Sequence, residues 1–197
     1  MKTIVIGSTN KGKIAEFSQA LKPLGVTVTH PLLLHIDDEI EETGKSFEEN
    51  ALIKARGWAE KTNLPALVDD SGLVVDALGG KPGVHSKRFY EGSDHDRNLY
   101  LLSLLKHVPL EKRTARYICA LAFVDPDKNL EHLVIGKCEG KISFELSGNH
   151  GFGYDPLFIP EGYSKTFGEL PSKVKAKISH RAQALAKMYP FLEQWSW

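Results

Sequence analysis

The sequence has little cysteine, no long apolar run and no excess of charge. Its 197 residues include two cysteines, Cys119 and Cys138, which lie in apolar surroundings without metal-ligand or redox spacing. We therefore predict two buried thiols. No stretch reaches the roughly 18 apolar residues of a membrane span, and the apolar run near the N-terminus is shorter than the hydrophobic segment of a signal peptide. These absences predict a cytoplasmic protein that does not contact a membrane.

Positive and negative charges balance, with 25 Lys and Arg against 25 Asp and Glu. A chain without net charge has no global positive field, which argues against a nucleic-acid partner. Any anionic ligand must therefore be bound by a local cluster of groups. The hydrophobic share of 42% is ordinary for a globular protein and sufficient for a buried core. We expect residues 1–197 to form a single domain.

Strand-like and helix-like hydrophobic patterns alternate along the chain. The expected strands are 4–7, 26–29, 66–68, 73–75, 113–124 and 130–138, and the expected helices cover about 14–24, 46–60, 94–107 and 179–192. We interpret Asp69-Asp70-Ser71-Gly72 as a turn between two of these strands. The turn at 125–129 pairs two long strands, so the sheet should be mixed and the fold α/β or α+β. In the third helix, Leu99, Leu102 and Leu105 are expected to lie on one face.

A glycine-bearing segment separates the first strand from the first helix. It reads Gly7-Ser8-Thr9-Asn10-Lys11-Gly12-Lys13-Ile14. At such a position, backbone N–H groups and the helix dipole point at a bound phosphate. The segment resembles a P-loop, except that Ile14 stands where that motif requires Ser or Thr to hold Mg²⁺. Three interpretations stay open at this point: an altered P-loop, another phosphate-binding loop, or a solvated turn.

Two pairs of acidic residues form a second candidate site. Asp69 and Asp70 follow a buried strand, and Glu41 and Glu42 precede the expected helix at 46–60. If the four carboxylates converge, they could hold Mg²⁺ through oxygen ligands and leave one to activate a water. Each pair alone is also typical of a turn or of a solvated surface segment. A phosphate loop without a hydroxyl for Mg²⁺ needs carboxylates from elsewhere, which favours the joint interpretation.

Two further segments combine aromatic, acidic and basic side chains. The loop Gly151-Phe152-Gly153-Tyr154-Asp155-Pro156 could offer a ring for a base to stack on and an acid to orient a ligand. A tight turn with its aromatic residues in the core explains the same pattern. Ser179 suits the N-cap of the last helix and places His180 and Arg181 in its first turn. Cations there oppose the helix dipole, which indicates that a ligand or a nearby acid lies in front of them.

Together these segments resemble the inosine triphosphate pyrophosphatase family over almost the whole chain. The matching segments are Ser8-Thr9-Asn10-Lys11-Gly12-Lys13, Glu41-Glu42-Thr43-Gly44, Phe47-Glu48-Glu49-Asn50-Ala51 with Lys54-Ala55-Arg56, Asp69-Asp70-Ser71-Gly72-Leu73, Ala77-Leu78-Gly79-Gly80 with Pro82-Gly83, Gly151-Phe152-Gly153-Tyr154-Asp155-Pro156, and Ser179-His180-Arg181. Their shared order and spacing are far more specific than any single motif.

The resemblance implies a fold, a reaction and an assembly. The expected fold is a long, curved, mixed β-sheet flanked by helices, with two lobes and a central nucleotide cleft. The implied reaction hydrolyses nonstandard purine nucleoside triphosphates (ITP, dITP and XTP) to the monophosphate and pyrophosphate, with Mg²⁺ as cofactor. Such enzymes cleanse the nucleotide pool, so that deaminated bases are not incorporated into DNA or RNA. The implied working unit is a homodimer.

The functional residues of that family correspond to particular positions of this chain. By resemblance, Asp70 is the general base and, with Glu41, a metal ligand, and Lys54 contacts the triphosphate. The residues implied to bind substrate are Ser8, Thr9, Asn10, Lys11, Gly12, Lys13, Lys54, Ser71, Phe152, Gly153, Tyr154, Asp155, Lys175, His180 and Arg181. Those from Phe152 onward correspond to the base pocket.

Two rival functions are compatible with parts of the pattern. In a P-loop-like phosphotransferase, Lys13 would hold the β- and γ-phosphates and Val68-Asp69 would play the Walker-B part, but Ile14 argues against it. In a nucleotide-binding sensor without turnover, the acidic residues beside the phosphate loop would be surplus. Metal-dependent product formation separates an enzyme from a sensor.

Overall fold

A computed structural model describes residues 2–196. The strands are β1 (Thr3–Ile6), β2 (Thr27–Thr29), β3 (Ala66–Val75), β4 (Thr114–Asp125), β5 (Leu130–Ile142) and β6 (Phe158–Pro160). The α-helices are α1 (Lys11–Leu21), α2 (Phe47–Thr62), α3 (Asp94–Leu104), α4 (Ser172–Ile178) and α5 (His180–Ser196). Within residues 2–196, no helix combines the length and the apolar character needed to cross a membrane.

Six strands form one mixed sheet in the order β2-β1-β3-β4-β5-β6. Strand β1 is parallel to both β2 and β3, whereas β5 and β6 are antiparallel. The expected mixed α/β fold is therefore confirmed. The sequence patterns do not predict the short elements β6 and α4.

The chain divides into two compact units, and each has its own hydrophobic core. The first unit contains the described residues of 1–70, 119–136 and 184–197, and the second contains 71–118 and 137–183. Two units agree in number with the two lobes that the resemblance implies. The assignment of residues 1–197 to a single catalytic domain stays a prediction.

Each core is built where helices bury an apolar face against the sheet. In the first unit, Phe17 of α1 and Met188 of α5 are buried with Ile4 and Ile6 of β1. The corresponding residues of the second core are Leu73, Leu101, Tyr117, Phe158 and Phe167. Both cysteines are buried, as predicted. Cys119 lies in the first core and Cys138 in the second, where burial raises the pKa of the Cys138 thiol to about 12.

The interpretation of Asp69-Asp70-Ser71-Gly72 as a turn is wrong. Strand β3 runs without interruption from Ala66 to Val75, so this segment is extended. Asp69 and Asp70 are buried there and form ion pairs with Lys13 and Lys54. These pairs, together with burial of the strand, outweigh the local preference of Asp, Ser and Gly for turns.

The three leucines expected on one face of the third helix differ in burial. Leu105 is buried and Leu102 packs against the core, but Leu99 is 48% exposed. Asn98 and Leu101 are the buried residues of α3. The two buried positions, 98 and 101, have helical spacing. The first of them is an asparagine, so a search for apolar residues does not detect it.

Polar side chains cap the helices that the sequence predicts. The Asn10 side-chain oxygen accepts from the Lys13 N–H at the start of α1. The Ser46 hydroxyl accepts from the Glu49 N–H at the start of α2, and Ser179 does the same for Ala182 in α5. These caps fix where each helix begins, and two of them border segments expected to bind substrate.

Gly7 lies where the chain leaves β1 for the phosphate loop. A Cβ atom there would lie 2.3 Å from Trp58 Cδ1 and 2.6 Å from Val68 Cγ2. Because Trp58 and Val68 are buried, neither can move aside cheaply. We expect Gly7→Ala to lower the free energy of unfolding by about 2–3 kcal/mol in urea denaturation followed by tryptophan fluorescence.

Gly57→Ala is the matched control for that substitution. Its added Cβ would meet the Ile40 side chain, with the nearest atom, Cδ1, at 2.9 Å. Ile40 Cγ2 and Cγ1 also lie at 3.0 and 3.2 Å, so the whole side chain must shift, but it is only half-buried and can do so. Because alanine also favours the helix, we expect a smaller change than for Gly7→Ala, of about 1 kcal/mol. Equal effects of the two substitutions would contradict the close packing around Gly7.

Candidate active site

The phosphate loop occupies the connection between β1 and α1 in the first unit. Since α1 begins at Lys11, the residues Lys11, Gly12 and Lys13 form its first turn. The Ser8 hydroxyl accepts from the Asn10 N–H at 3.2 Å, and the Asn10 side chain accepts from the Lys13 N–H at 3.1 Å. The loop is therefore a capped helix N-terminus, where the first N–H groups and the helix dipole favour an anion.

Two other residues of the loop differ in exposure. Thr9 is exposed at the tip. Ile14, which departs from the P-loop pattern, packs against the core of the first unit. An apolar residue at this position therefore has a packing role, and the loop has no hydroxyl there to hold a metal ion.

Two lysines and three carboxylates meet in the first unit, and we call this group the acid–lysine cluster. The Lys54 Nζ of α2 lies 2.7 Å from Asp70 Oδ1 and 2.8 Å from Glu42 Oε1, and it donates to the Asp69 carbonyl at 3.1 Å. The Lys13 Nζ lies 3.0 Å from Asp69 Oδ1. Both aspartates are buried. The Lys54 ammonium thus joins α2 to β3 and to the segment before α2. The Lys13 ammonium joins the first turn of α1 to β3.

Burial and neighbouring charges set the protonation of the cluster. Burial raises the pKa of the Asp70 carboxyl above its usual range, the Lys54 ammonium opposes this shift, and Glu42 adds to it. Burial alone lowers the pKa of Lys54, but Asp70 and Asp69 outweigh it, so the net pKa of Lys54 is raised. Lys54 is therefore a firmly held cation. Asp70 is a stronger base than an ordinary aspartate, which suits a group that must accept a proton.

Asn50 positions Asp70 within the cluster, and sequence reasoning misses it. Its side-chain nitrogen lies 3.4 Å from Asp70 Oδ2, while its oxygen accepts from the Gly44 N–H at 2.8 Å. Asn50 is 1% exposed and lies on the same buried side of α2 as Phe47 and Ala51. An amide at an otherwise apolar helix position is the signal that could have identified it.

Of the two neighbouring glutamates, the structure brings Glu42 into the cluster. Glu42 is half-buried against Lys54, whereas Glu41 is exposed. Both belong to the segment that Asn50 ties to Asp70 through the Gly44 N–H. The role of Glu41 as a metal ligand stays a prediction, and Glu42 is the glutamate whose carboxylate already lies beside Lys54 and Asp70.

The oxygens around the Lys54 ammonium fit a small hard cation. Glu42 Oε1, the Asp69 carbonyl and Asp70 Oδ1 converge on this one positive group, and oxygens are the ligands that Mg²⁺ prefers. Among residues 2–196, no three His, Cys, Asp or Glu side chains are grouped as a metal site. The donor set therefore suits a cation that takes one or two carboxylates and completes its shell with water and substrate phosphates.

A second group of predicted residues meets in the second unit, and we call it the ring cluster. The Asp155 Oδ2 atom accepts from Lys175 Nζ at 2.5 Å and from the Phe152 N–H at 2.8 Å. Lys175 Nζ lies 4.3 Å from the centroid of the Phe152 ring, and the Arg181 guanidinium carbon lies 5.9 Å from it. The Arg181 Nη2 donates to the Ser71 hydroxyl at 3.1 Å. One aromatic ring is thus surrounded by polar and cationic groups.

The remaining residues predicted for the base pocket make scaffold contacts in the second unit. His180 is buried and its ring stacks on Tyr117 at 4.6 Å. The Tyr154 hydroxyl donates to the Ser86 carbonyl at 2.8 Å. The Gly153 N–H donates to a carboxylate at the start of α3. These contacts fix the loop that carries Phe152 and the helix start that carries Arg181.

Comparison with known proteins places the chain among relatives along nearly its whole length. A sequence profile of the Ham1 family matches residues 4–191. A dITP/XTP pyrophosphatase of Bacillus subtilis (strain 168) is 46% identical over 195 residues, which cover 98% of this chain and 98% of the relative. A protein of the same name from Symbiobacterium thermophilum is 46% identical over 187 residues, 94% of this chain and 92% of the relative.

A solved structure agrees with these relatives. The structure of a HAM1 protein from Coxiella burnetii superposes with a TM-score of 0.89 at 38% identity and covers 98% of this chain and 100% of that one. Fold, sequence and the order of the motifs lead to the same group of proteins, and the resemblance seen in the sequence is confirmed. The chain belongs to the Ham1 family.

Proposed function

We propose that this protein hydrolyses the nonstandard purine nucleoside triphosphates ITP, dITP and XTP to the nucleoside monophosphate and pyrophosphate. The observation that carries the proposal is the acid–lysine cluster, in which the basic carboxylate Asp70 is bonded to Lys54 next to a helix N-terminus suited to phosphate. The relatives from Bacillus subtilis and Symbiobacterium thermophilum are named dITP/XTP pyrophosphatases, which supports the same reaction.

The triphosphate binds at the phosphate loop of the first unit. The Ser8 and Thr9 hydroxyls and the backbone N–H groups of Thr9, Lys11 and Gly12 donate to phosphate oxygens. The Asn10 and Lys13 N–H groups hold the shape of the loop through their bonds to Ser8 and Asn10. Lys13 and Lys54 neutralise the phosphate charge. When substrate binds, each lysine shares its ammonium group between its aspartate and a phosphate oxygen. Each ammonium group therefore has an anionic partner both before and after binding.

Asp70 carries the chemical step in this proposal. Its carboxylate orients a water molecule and accepts a proton from it as the water oxygen attacks the α-phosphorus. A bond forms between that oxygen and the α-phosphorus, and the bond from the α-phosphorus to the bridging oxygen breaks. Pyrophosphate leaves with the electron pair, and Lys13 and Lys54 stabilise its charge.

Asp70, with Glu41 or its neighbour Glu42, would hold Mg²⁺. When bound, Mg²⁺ would neutralise the charge of phosphate oxygens and stabilise the negative charge that develops on the leaving pyrophosphate. Asn50 keeps the Asp70 carboxylate in place for this task.

The ring cluster and its neighbours recognise the base. Phe152 offers a ring face for stacking, and Lys175, His180, Arg181 and the Tyr154 backbone present donors. The Gly153 N–H is bonded to Asp94 and fixes the loop instead. ITP and XTP carry a carbonyl at C6, where ATP carries an amino group, so a site rich in donors accepts the former and rejects the latter. GTP shares the C6 carbonyl, but its 2-amino group loses hydration without gaining an acceptor, which penalises its binding. Ser71 and Asp155 hold Arg181 and Lys175 in position.

The proposed setting is the cytoplasm, and the proposed working unit is a homodimer. Buried thiols in both cores suit a reducing compartment. The assembly rests on the resemblance to the family. Removing deaminated nucleotides from the pool would keep them out of DNA and RNA.

The test uses the purified protein with Mg²⁺ and either ITP or ATP, followed by ion-exchange chromatography with separate assays for pyrophosphate and orthophosphate. We expect IMP and pyrophosphate from ITP, little product from ATP, and loss of turnover when EDTA removes the metal. Restored turnover on adding excess Mg²⁺ controls for damage by the chelator.

The same assay separates the rival functions. Formation of IDP and orthophosphate, or equal use of ATP, would favour a P-loop-like phosphotransferase. Binding of ITP without any product would favour a nucleotide sensor. Turnover that survives EDTA would contradict the part assigned to the metal.

A further inference from the structure

We infer that Asn98 and Asp94 of α3 are positioning residues for base recognition, because they hold the Gly153 peptide groups and thereby set the Phe152–Asp155 segment. The inference rests on the proposed function and deepens it. Neither residue belongs to the segments that carry the family resemblance. Both reach the ring cluster through Gly153.

The two residues bind Gly153 from both of its backbone groups. The Asn98 side-chain nitrogen donates to the Gly153 carbonyl at 2.9 Å, and the Asp94 Oδ2 atom accepts from the Gly153 N–H at 2.8 Å. Asp94 is held in turn by Arg97, whose Nη2 lies 2.6 Å from the other carboxylate oxygen. A single glycine is therefore clamped by two side chains one helical turn apart.

The clamp acts at a glycine that has open space on its Cβ side. Gly153 has φ +62°, a conformation that favours glycine, and a Cβ there would meet no atom within 4 Å. On its Cβ side Gly153 has no packing neighbour, and the two hydrogen bonds hold its peptide groups. On either side of Gly153, Phe152 presents its ring and Asp155 orients Lys175. A shift of the Gly153 peptide would move both groups that face the base.

The burial of Asn98 indicates a role other than stability. The residue is 2% exposed on the helix face that also buries Leu101. Its side-chain oxygen is buried, and no residue within 2–196 donates a hydrogen bond to it. A buried amide costs free energy unless its groups are bonded, so an apolar residue of similar size would serve packing alone equally well. The amide is explained by its bond to Gly153.

The experiment compares Asn98→Leu, Asp94→Ala and the double variant with the wild type. Steady-state kinetics are measured with ITP and with ATP, and IMP affinity is measured by calorimetry. For Asn98→Leu we expect the KM for ITP and the Kd for IMP to rise on the order of tenfold, and the preference for ITP over ATP to fall by a similar factor. The kcat should fall less than about threefold, and the melting temperature should change by less than about 3 °C.

The double variant tests whether the two residues act through the same group. Since both hold Gly153, their effects on KM should be less than multiplicative. Leu99→Ala is the matched control, because it truncates the exposed neighbour of Asn98 on the same helix. It should leave KM, selectivity and Kd unchanged.

Two results would overturn the inference. One is an unchanged KM and unchanged ITP preference in folded Asn98→Leu and Asp94→Ala. The other is a parallel loss of ITP and ATP turnover with a lowered melting temperature, which would assign the residues to stability alone. Failure of the proposed function is distinguishable: the wild type would then release no IMP from ITP, and the change in IMP affinity would still test the clamp.

Discussion

Asp70→Asn is expected to reduce ITP turnover by about 10²–10⁴-fold. Asparagine keeps the shape of the side chain and can still accept the hydrogen bond from Lys54, so the fold should persist. It cannot accept the proton of the attacking water, and it is a weaker ligand for a cation. The measurement is kcat from pyrophosphate release, with circular dichroism and the melting temperature to establish that the variant is folded.

Asp38→Asn is the matched control for that substitution. Asp38 pairs with Lys61 at 2.8 Å, but its side chain is 76% exposed and lies outside the acid–lysine cluster. Replacing it should leave turnover unchanged. Near-wild-type turnover of Asp70→Asn would remove Asp70 from the role of general base, and an equal loss in Asp38→Asn would indicate a general effect of lost acidic charge.

Lys54→Met is expected to lower kcat/KM for ITP by about 10²–10³-fold, because the triphosphate and the leaving pyrophosphate lose a buried cation. It is also expected to make stability depend on pH. The pKa of Asp70 is raised by burial and by Glu42, and Lys54 opposes that shift, so removing Lys54 raises the pKa further. A carboxyl whose folded pKa exceeds the unfolded value stabilises the fold fully below the unfolded pKa, and this stability is lost as pH rises through the folded pKa.

The measurement is the melting temperature of the protein without nucleotide from about pH 4 to pH 8. The deficit of Lys54→Met relative to the wild type should be small at the acidic end and grow toward neutrality. Lys61→Met is the control, since Lys61 forms its ion pair with the exposed Asp38. A deficit of Lys54→Met that is constant across this range would contradict the buried coupling between Lys54 and Asp70.

The sequence predicts those parts of the fold that have long hydrophobic periods or clear capping signals. The last helix starts after its predicted cap Ser179, and α2 starts within one residue of its expected position. The first helix starts at Lys11, three residues before the expected 14–24. The segment at 69–72 fails because its residues favour turns, and only the lysines brought in from elsewhere in the chain make an extended, buried conformation possible. Local patterns cannot report such long-range ion pairs.

The candidate site shows the same division. The loop at 8–13 and Asp70 are found from their own segments, and Lys54 only through the family resemblance. The structure brings them together in the first unit. Asn50 and Asn98 are missed, because single asparagines on helices carry no periodic signal and their partners are a carboxylate and a backbone carbonyl far along the chain. Their burial, visible only in three dimensions, distinguishes them from surface asparagines.

The two cysteines give each unit its own internal reporter. One thiol lies in each core, so a thiol-specific reagent can react with Cys119 only when the first unit opens and with Cys138 only when the second opens. The overall rate at which each thiol is modified follows the free energy of the opening that exposes it. Peptide mapping of partially labelled protein would therefore give two opening free energies from one sample. A nucleotide that binds mainly through its phosphates should slow labelling at Cys119 more than at Cys138.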